Sequence, residues 1–483
     1  MDKNGVLTIS DWQKAVAQSP YYGISRMTNC EVFETPGVLK IADKLVNQYS
    51  TTGLPIARVQ ANNGDVYVLV YVSGGTSYLL KNGVSLTNVD GNPYDMVEYK
   101  GYLIISTSTG LHCYGTTTAT AYFSLWKTGL TSSFYIKLLV GQDSYLYMTN
   151  GNYVSRITDF VAGTFSVAPT GTISNALNLK DGQYAVTIQE LGRNIMVGTQ
   201  GGSSWSAIGG QRVANIYPWD RTTGTLGNPG LADLPISFNE CGIHAMLTVN
   251  NIMYVVAGTR GNVYKTDGTS SVKIGRIPWT QSRNATYGVW TYPNAIFLNA
   301  NGNLLVGLSV YSGSVTDTGV WEINIPGSNE MTLKHLKESS TIGLISGDAL
   351  DTTYVGWSTS LTTFGLDYTP GIAYSDYSAV AESQVYLVGD ADTKKTFQFL
   401  EFSFGKPLTN NQGIKIYYRK NTQADYTLIG TYTYAEIPNV ISRKITPGIA
   451  DAQMVQIKVA LYQDDQASQP PQWELELVKV KLW

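Results

Sequence analysis

The chain has 483 residues, more than one compact core usually organises, so two or more domains are expected. Charged residues are only 14% and the formal net charge is -3, with no run of Lys or Arg, so nothing favours a nucleic-acid binder. No stretch of about 18 apolar residues occurs, so no membrane span is expected.

The composition is that of a β protein. Gly is abundant, Tyr alone accounts for 33 residues, and aromatic and β-branched side chains suit a pleated surface. The three cysteines, Cys30, Cys113 and Cys241, are far apart and odd in number, which reads as reduced packing residues rather than a disulfide framework. The opening "MDKNGVLTISDWQKAV" lacks the basic, apolar and cleavable parts of a secretory signal, which points to synthesis in the cytoplasm.

Residues 1–50 read as an N-terminal extended arm with one helical turn near Trp12. Trp12, Tyr21 and Tyr22 are candidate interaction residues, anchoring the arm either to its own chain or to a neighbouring subunit. The stretch "GVLKIADKLV" is a candidate strand that completes the last unit of a downstream repeat array.

From Asp65 the chain writes "DVYVLVYVSGGTSYLLKNG": an apolar strand, a polar turn and a second strand. The same pattern restarts at Gly101, Ser144, Asn194, Ile252, Asn303 and Thr353, at intervals of 36 to 58 residues. Each copy is preceded by another apolar strand ending in Gly, Asn or Asp, residues that tolerate tight turns. A unit of three or four antiparallel strands at this period is one blade of a β-propeller. Residues 51–382 are therefore expected to form a propeller of seven blades, with six or eight open. A pair of β-sandwiches or a β-solenoid is the alternative.

Near residue 383 the rhythm changes. "SQVYLV", "FQFLEFSFG", "GIKIYYRKN", "YTLIGTYTY", "SRKITPG", "MVQIKVALY" and "WELELVKVKLW" are seven short alternating strands, the signature of a C-terminal β-sandwich over residues 383–483. Trp473 and Trp483, in the last of these, are further candidate interaction residues.

No motif carries chemistry. The chain has no G-x-S-x-G elbow, no P-loop and no H-E-x-x-H. His112, His244 and His335 are isolated, so no metal site and no cofactor are expected. Asp90, Asn92 and Asp95 in "VDGNPYD" and Asp464 and Asp465 in "YQDDQASQ" suggest loop calcium ligands, but without the required spacing they read as solvated turn residues. Arg193, Arg212, Arg221, Arg260, Arg276 and Arg283 show no pattern of the kind a sialidase-like propeller uses. Trp205, Trp219, Trp290 and Trp357 read as core. The expectation is that the chain is not an enzyme.

The layout as a whole, from "NCEVFETPGVLKI" through the repeats to the terminal strands, resembles virion proteins of tailed bacteriophages, in particular the tail hub or nozzle proteins of short-tailed phages. The resemblance implies a noncatalytic structural component of a phage tail, part of the DNA-ejection conduit or a fibre attachment platform. It implies a homo-oligomeric ring, a hexamer in the typical case, touching portal or adaptor and tail fibre proteins, with a host-surface receptor as a further partner. It implies no sequence-specific contact with nucleic acid, and a location in the virion after synthesis in the host cytoplasm. The alternative from the residues themselves is a receptor- or carbohydrate-binding propeller, with a glycan-cleaving propeller behind it.

Overall fold

The computed structural model describes residues 6–9, 24–33, 39–116, 122–130, 135–158, 172–180, 182–201, 213–222, 230–231, 234–278, 288–312, 318–327, 329–337, 341–348, 352–359, 363–370, 377–388, 395–405, 407–408, 412–437, 441–463 and 475–482. Among these residues the regular elements are all β-strands, and no helix is long and apolar enough to cross a membrane.

The repeated hairpins are antiparallel pairs in chain order. In the first unit Leu54–Gln60, Val66–Tyr71, Ser77–Lys81 and Val84–Val89 form one sheet. Its last turn is Asn82–Gly83, with φ of 50° and 83°; a two-residue type I′ turn needs both residues at positive φ, which Asn and Gly tolerate best. Val66–Tyr71 is apolar almost without alternation and four of its successive residues are buried. A strand reads that way when both faces of its sheet are covered. Here the neighbouring sheets cover them.

The innermost strands, Leu54–Gln60, Pro93–Tyr99, Leu138–Val140, Gln183–Leu191, Ile243–Val249, Ile296–Leu298 and Thr341–Gly347, succeed one another around an axis, and the last lies beside the first. The fold is an all-β propeller. Six of these sets are free-standing sheets of four or five strands. The set that starts with Ile296–Leu298 is not. Its outer strand, Met331–Leu336, bridges to Ile24–Thr28 and carries the sheet into the C-terminal strands. Counted as separate sheets the blades number six, one fewer than the repeats, and the remaining repeat is the fused one. Apolar clusters fill the interfaces: Leu54, Tyr67 and Leu69 meet Met96 and Leu103, and at the seam Val68, Val70 and Leu80 meet Leu344, Tyr354 and Leu366.

The ring is closed by Val46–Thr51, which pairs with Phe364–Tyr368 as the outer strand of the last blade. The stretch proposed for that task lies just upstream; of it only Lys40–Ile41 is strand before Val46, and it pairs with Cys30–Glu31. The closing strand is polar and half exposed, as an outer edge permits, so an apolar pattern pointed to the wrong segment. The expected boundaries shift with it. Val46–Thr51 crosses from arm into propeller, and Tyr377–Ser383, assigned to the propeller, pairs with Met454–Gln463 in the C-terminal sheet.

Nor is the described part of the N-terminal segment a free arm. Val6–Ile9 pairs with Leu475–Leu482, and Ile24–Thr28 pairs with Tyr377–Ser383. A four-stranded sheet of Val6–Ile9, Leu475–Leu482, Phe397–Phe404 and Ser442–Ile445 shares one buried cluster with Gln412–Lys420 and Met454–Gln463 of the larger sheet. Leu400, Phe402 and Phe404 point into that cluster at period two, while Glu401 and Ser403 between them do not.

The propeller and the N-terminal segment meet at a buried polar joint. Lys334 Nζ lies 2.7 Å from Glu31 Oε2 and 3.1 Å from Glu322 Oε1. Asn299 and Asn303 also donate to Glu322 Oε1, at 2.8 and 3.1 Å. Burial pushes the Glu322 carboxyl up from 4.5 to about 7, against the pull of Lys334. Between those values the folded chain keeps a proton that the unfolded chain has released. The stability this proton confers is full below about pH 4.5 and is lost as pH rises through about 7. Denaturant unfolding across that window should show a decline in the native protein that Glu322→Gln removes; parallel profiles would contradict it.

Candidate functional site

Inner strands of a propeller present their edges to the axis, so a polar residue among their apolar neighbours stands out. Six polar residues on the inner strands or just before them border one axial cavity of about 250 Å³: Arg58, Asp95, Lys137, Gln189, Asn294 and Ser346. Each comes from a different repeat. Apolar side chains, among them Met246, Leu247 and Leu344, complete the wall.

Asp95 anchors the polar side. It is only 2% exposed. Its Oδ2 lies 2.9 Å from Lys137 Nζ and accepts the Leu138 N–H at 2.9 Å. Its Oδ1 accepts from Asn294 Nδ2 at 2.8 Å. Asn294 Nδ2 also donates to the Ile56 carbonyl at 2.9 Å, and Lys137 Nζ donates to Asn294 Oδ1. Four sets of strands are thereby tied together at the axis. Beneath them Tyr135 Oη donates to the Tyr94 carbonyl, and burial, with Asp95 nearby, drives its phenol far above the usual range.

Arg58 faces the other side. Its guanidinium carbon sits 3.7 Å from the centre of the Tyr354 ring, a cation–π contact that fixes the plane of the fork. Tyr354 Oη in turn donates to Asp348 Oδ2 at 2.9 Å. Arg58 Nε is buried and has no hydrogen-bond partner among the described residues, and neither has Ser346 Oγ. Burial pulls the Arg58 pKa below 12.5, with Tyr354 and Asp348 opposing it.

Two cations and one carboxylate therefore border the cavity, and the carboxylate is already saturated. The cavity thus has a hydrogen-bonded network on one side and unspent donors on the other. Glycoside hydrolysis in its usual form takes a pair of carboxyl groups; Asp95 is the one carboxylate among the described lining residues. Among the described residues no group of three or more His, Cys, Asp or Glu could hold a metal ion. His112 and His244 are buried, which pushes both down to about 4, and Cys30 and Cys113 are buried thiols pushed up to about 12.

The five residues proposed for interaction, Trp12, Tyr21, Tyr22, Trp473 and Trp483, lie outside the described residues, as does Trp205. Trp219 is wholly buried, and Trp290 and Trp357 are half-buried. Asp95 is a correction. The sequence "VDGNPYD" suggests a solvated turn, but Asp95 is the third residue of an inner strand and points into the protein. Arg58, Lys137 and Asn294 carried no sequence signal of their own. One signal was present: a charged residue stands among the apolar residues of the inner strands in "PIARVQ" and "PYDMVEY".

No protein-family model matches the chain, and no curated protein matches it. Solved structures do. One is an exo-β-1,3-galactanase from Phanerochaete chrysosporium, 8% identical, covering 82% of this chain and 97% of that one, with a TM-score of 0.29. Another is a glycoside hydrolase family 43 arabinoxylan arabinofuranohydrolase from Bacillus subtilis, 12% identical, covering 89% and 96%, also at 0.29. The solved structures found this way include propeller glycoside hydrolases and other propeller proteins, and neither of these two is a phage tail protein. The expectation of a noncatalytic phage tail component is corrected on this finding. The expectation that the chain is not an enzyme is withdrawn with it.

Proposed function

We propose that the chain is a carbohydrate-active propeller that takes one sugar residue of a glycan into its axial cavity. The observation that carries this reading is the convergence of six polar side chains from six repeats on one cavity with apolar walls. Planar amides and charged groups match the paired hydroxyls of a sugar, and apolar side chains cover its C–H face. At about 250 Å³ the cavity is at the small end of ligand sites, which run from about 300 to 1,000 Å³, so it suits a single ring rather than a chain segment.

Calorimetric titration with a panel of mono- and oligosaccharides tests the reading, and release of reducing ends from the same panel reports turnover. Gln189→Leu removes one cavity-lining amide that no charged network depends on. It is expected to weaken sugar binding about tenfold, or about 1.4 kcal/mol, with unfolding little changed. A panel in which no sugar binds would overturn the proposal.

A further inference from the structure

The charge around the cavity points to a narrower ligand class, and this step rests on the carbohydrate reading above. Lys137 is committed: its Nζ is shared between Asp95 and Asn294. Arg58 is not. Among the described residues it has no carboxylate at ion-pair distance, its Nε is buried without a partner, and its hydrogen bond to the Gly347 carbonyl is long at 3.5 Å. Stacking on Tyr354 occupies the face of the guanidinium and leaves its edge as the unspent donor surface. An arginine edge fits a planar carboxylate through two parallel N–H···O bonds, which a neutral hydroxyl cannot reproduce. Ser346 Oγ, also without a partner, supplies a further donor on the same wall. Burial disfavours the Arg58 charge, Tyr354 and Asp348 offset that only in part, and an anionic ligand on the free edge of the guanidinium would offset it further.

We infer that the axial cavity selects a sugar bearing a carboxylate, a uronic acid residue, with Arg58 as the group that reads the acid. Asp95 does not repel such a ligand in the way a free carboxylate would, because Lys137 neutralises it within the same network.

The test compares glucuronate with glucose, and galacturonate with galactose, by calorimetry on the full chain. The acid is expected to bind at least about tenfold more tightly than its neutral partner. Arg58→Gln should bring that preference to about one, and Arg58→Lys, which keeps the charge and loses the fork, should restore part of it. The native preference should also shrink as salt is raised. If Arg58→Gln does not fold, a native preference indifferent to salt overturns the inference by itself. Equal binding of acid and neutral sugar overturns the inference and leaves the carbohydrate reading standing. Absence of binding by any of the four sugars overturns both. Acetate or inorganic phosphate competing as well as glucuronate would overturn the assignment to a sugar.

Discussion

Replacing Lys334 by Met is expected to cost about 3–5 kcal/mol of stability, the largest effect of any single substitution considered for this chain. Lys334 lies between two buried carboxyls, Glu31 and Glu322. Methionine keeps the length and apolar stem of the side chain, so the packing changes little and the missing charge decides the outcome. Glu31 and Glu322 would then lose the positive charge that lies between them, Glu322 with no exposure at all. Their escape is protonation. The loss should therefore be greatest near neutral pH and shrink toward acid, where both carboxyls take up protons. Equilibrium denaturation at several pH values reads this directly. A loss under about 1 kcal/mol would class the joint with exposed surface pairs and contradict its burial. Replacing all three residues by apolar ones should recover much of the loss, because a buried ion pair is expensive to break and cheap to replace whole. The joint has a second consequence for architecture. It ties the fused blade to Glu31, next to the strand that bridges into the C-terminal sheet, so the substitution should loosen the propeller and the C-terminal sheets together.

The architecture was legible because its signals are local. "KNG" before Val84 marks a tight turn between the third and fourth strands of its blade, and Lys100–Gly101 and Asn250–Asn251 make two-residue turns between the first and second strands of theirs, with positive φ at both residues. Strands such as Tyr102–Thr107, buried along their whole length, announce a sheet covered on both faces. Long-range pairing left weaker marks. Val46–Thr51 has no apolar face, since it closes the ring as an outer edge, and its partner is more than 300 residues away in sequence. The strand Val6–Ile9 and its partner Leu475–Leu482 lie near opposite ends of the chain. The cavity was invisible for the same reason. Asp95 and Asn294 are 199 residues apart and Lys137 and Asn294 are 157 apart, and no spacing rule joins residues that meet only because a ring closes. Asp95 misled further because a turn-like "DGNP" precedes it. The aromatic residues chosen as contacts were chosen by type, without any pattern to place them.

Gly356→Val is expected to destabilise the propeller by about 3 kcal/mol, at the upper end of overpacking costs. The repeats share more than an apolar strand: "IMVG", "LLVG" and "TYVG" place a glycine at the same point of the second strand in three of them. In each case the missing Cβ makes room for the next blade. A Cβ on Gly198 would lie 2.8 Å from the Ile243 side chain, and one on Gly307 would lie 2.5 Å from Ile342. Gly356 differs in what it meets. Its Cβ would lie 2.5 Å from the backbone carbonyl oxygen of Pro55, and a Cβ on nearby Gly343 would crowd the same oxygen. An isoleucine can turn aside, whereas the carbonyl of an inner strand cannot without moving the strand. Pro55 belongs to the first blade and Gly356 to the last, so the contact exists only where the ring closes. Valine there must push the seam apart, exposing the cluster of Val68, Val70, Leu344 and Leu366 behind it. Gly74→Asn is the matching control: that glycine has φ of 70° and open space around it, and Asn tolerates the left-handed region. Thermal unfolding of the two variants separates a clash from the general cost of losing a glycine. If Gly356→Val unfolds no earlier than Gly74→Asn, the last and first blades do not meet as described, and the closed ring on which the axial cavity depends is wrong.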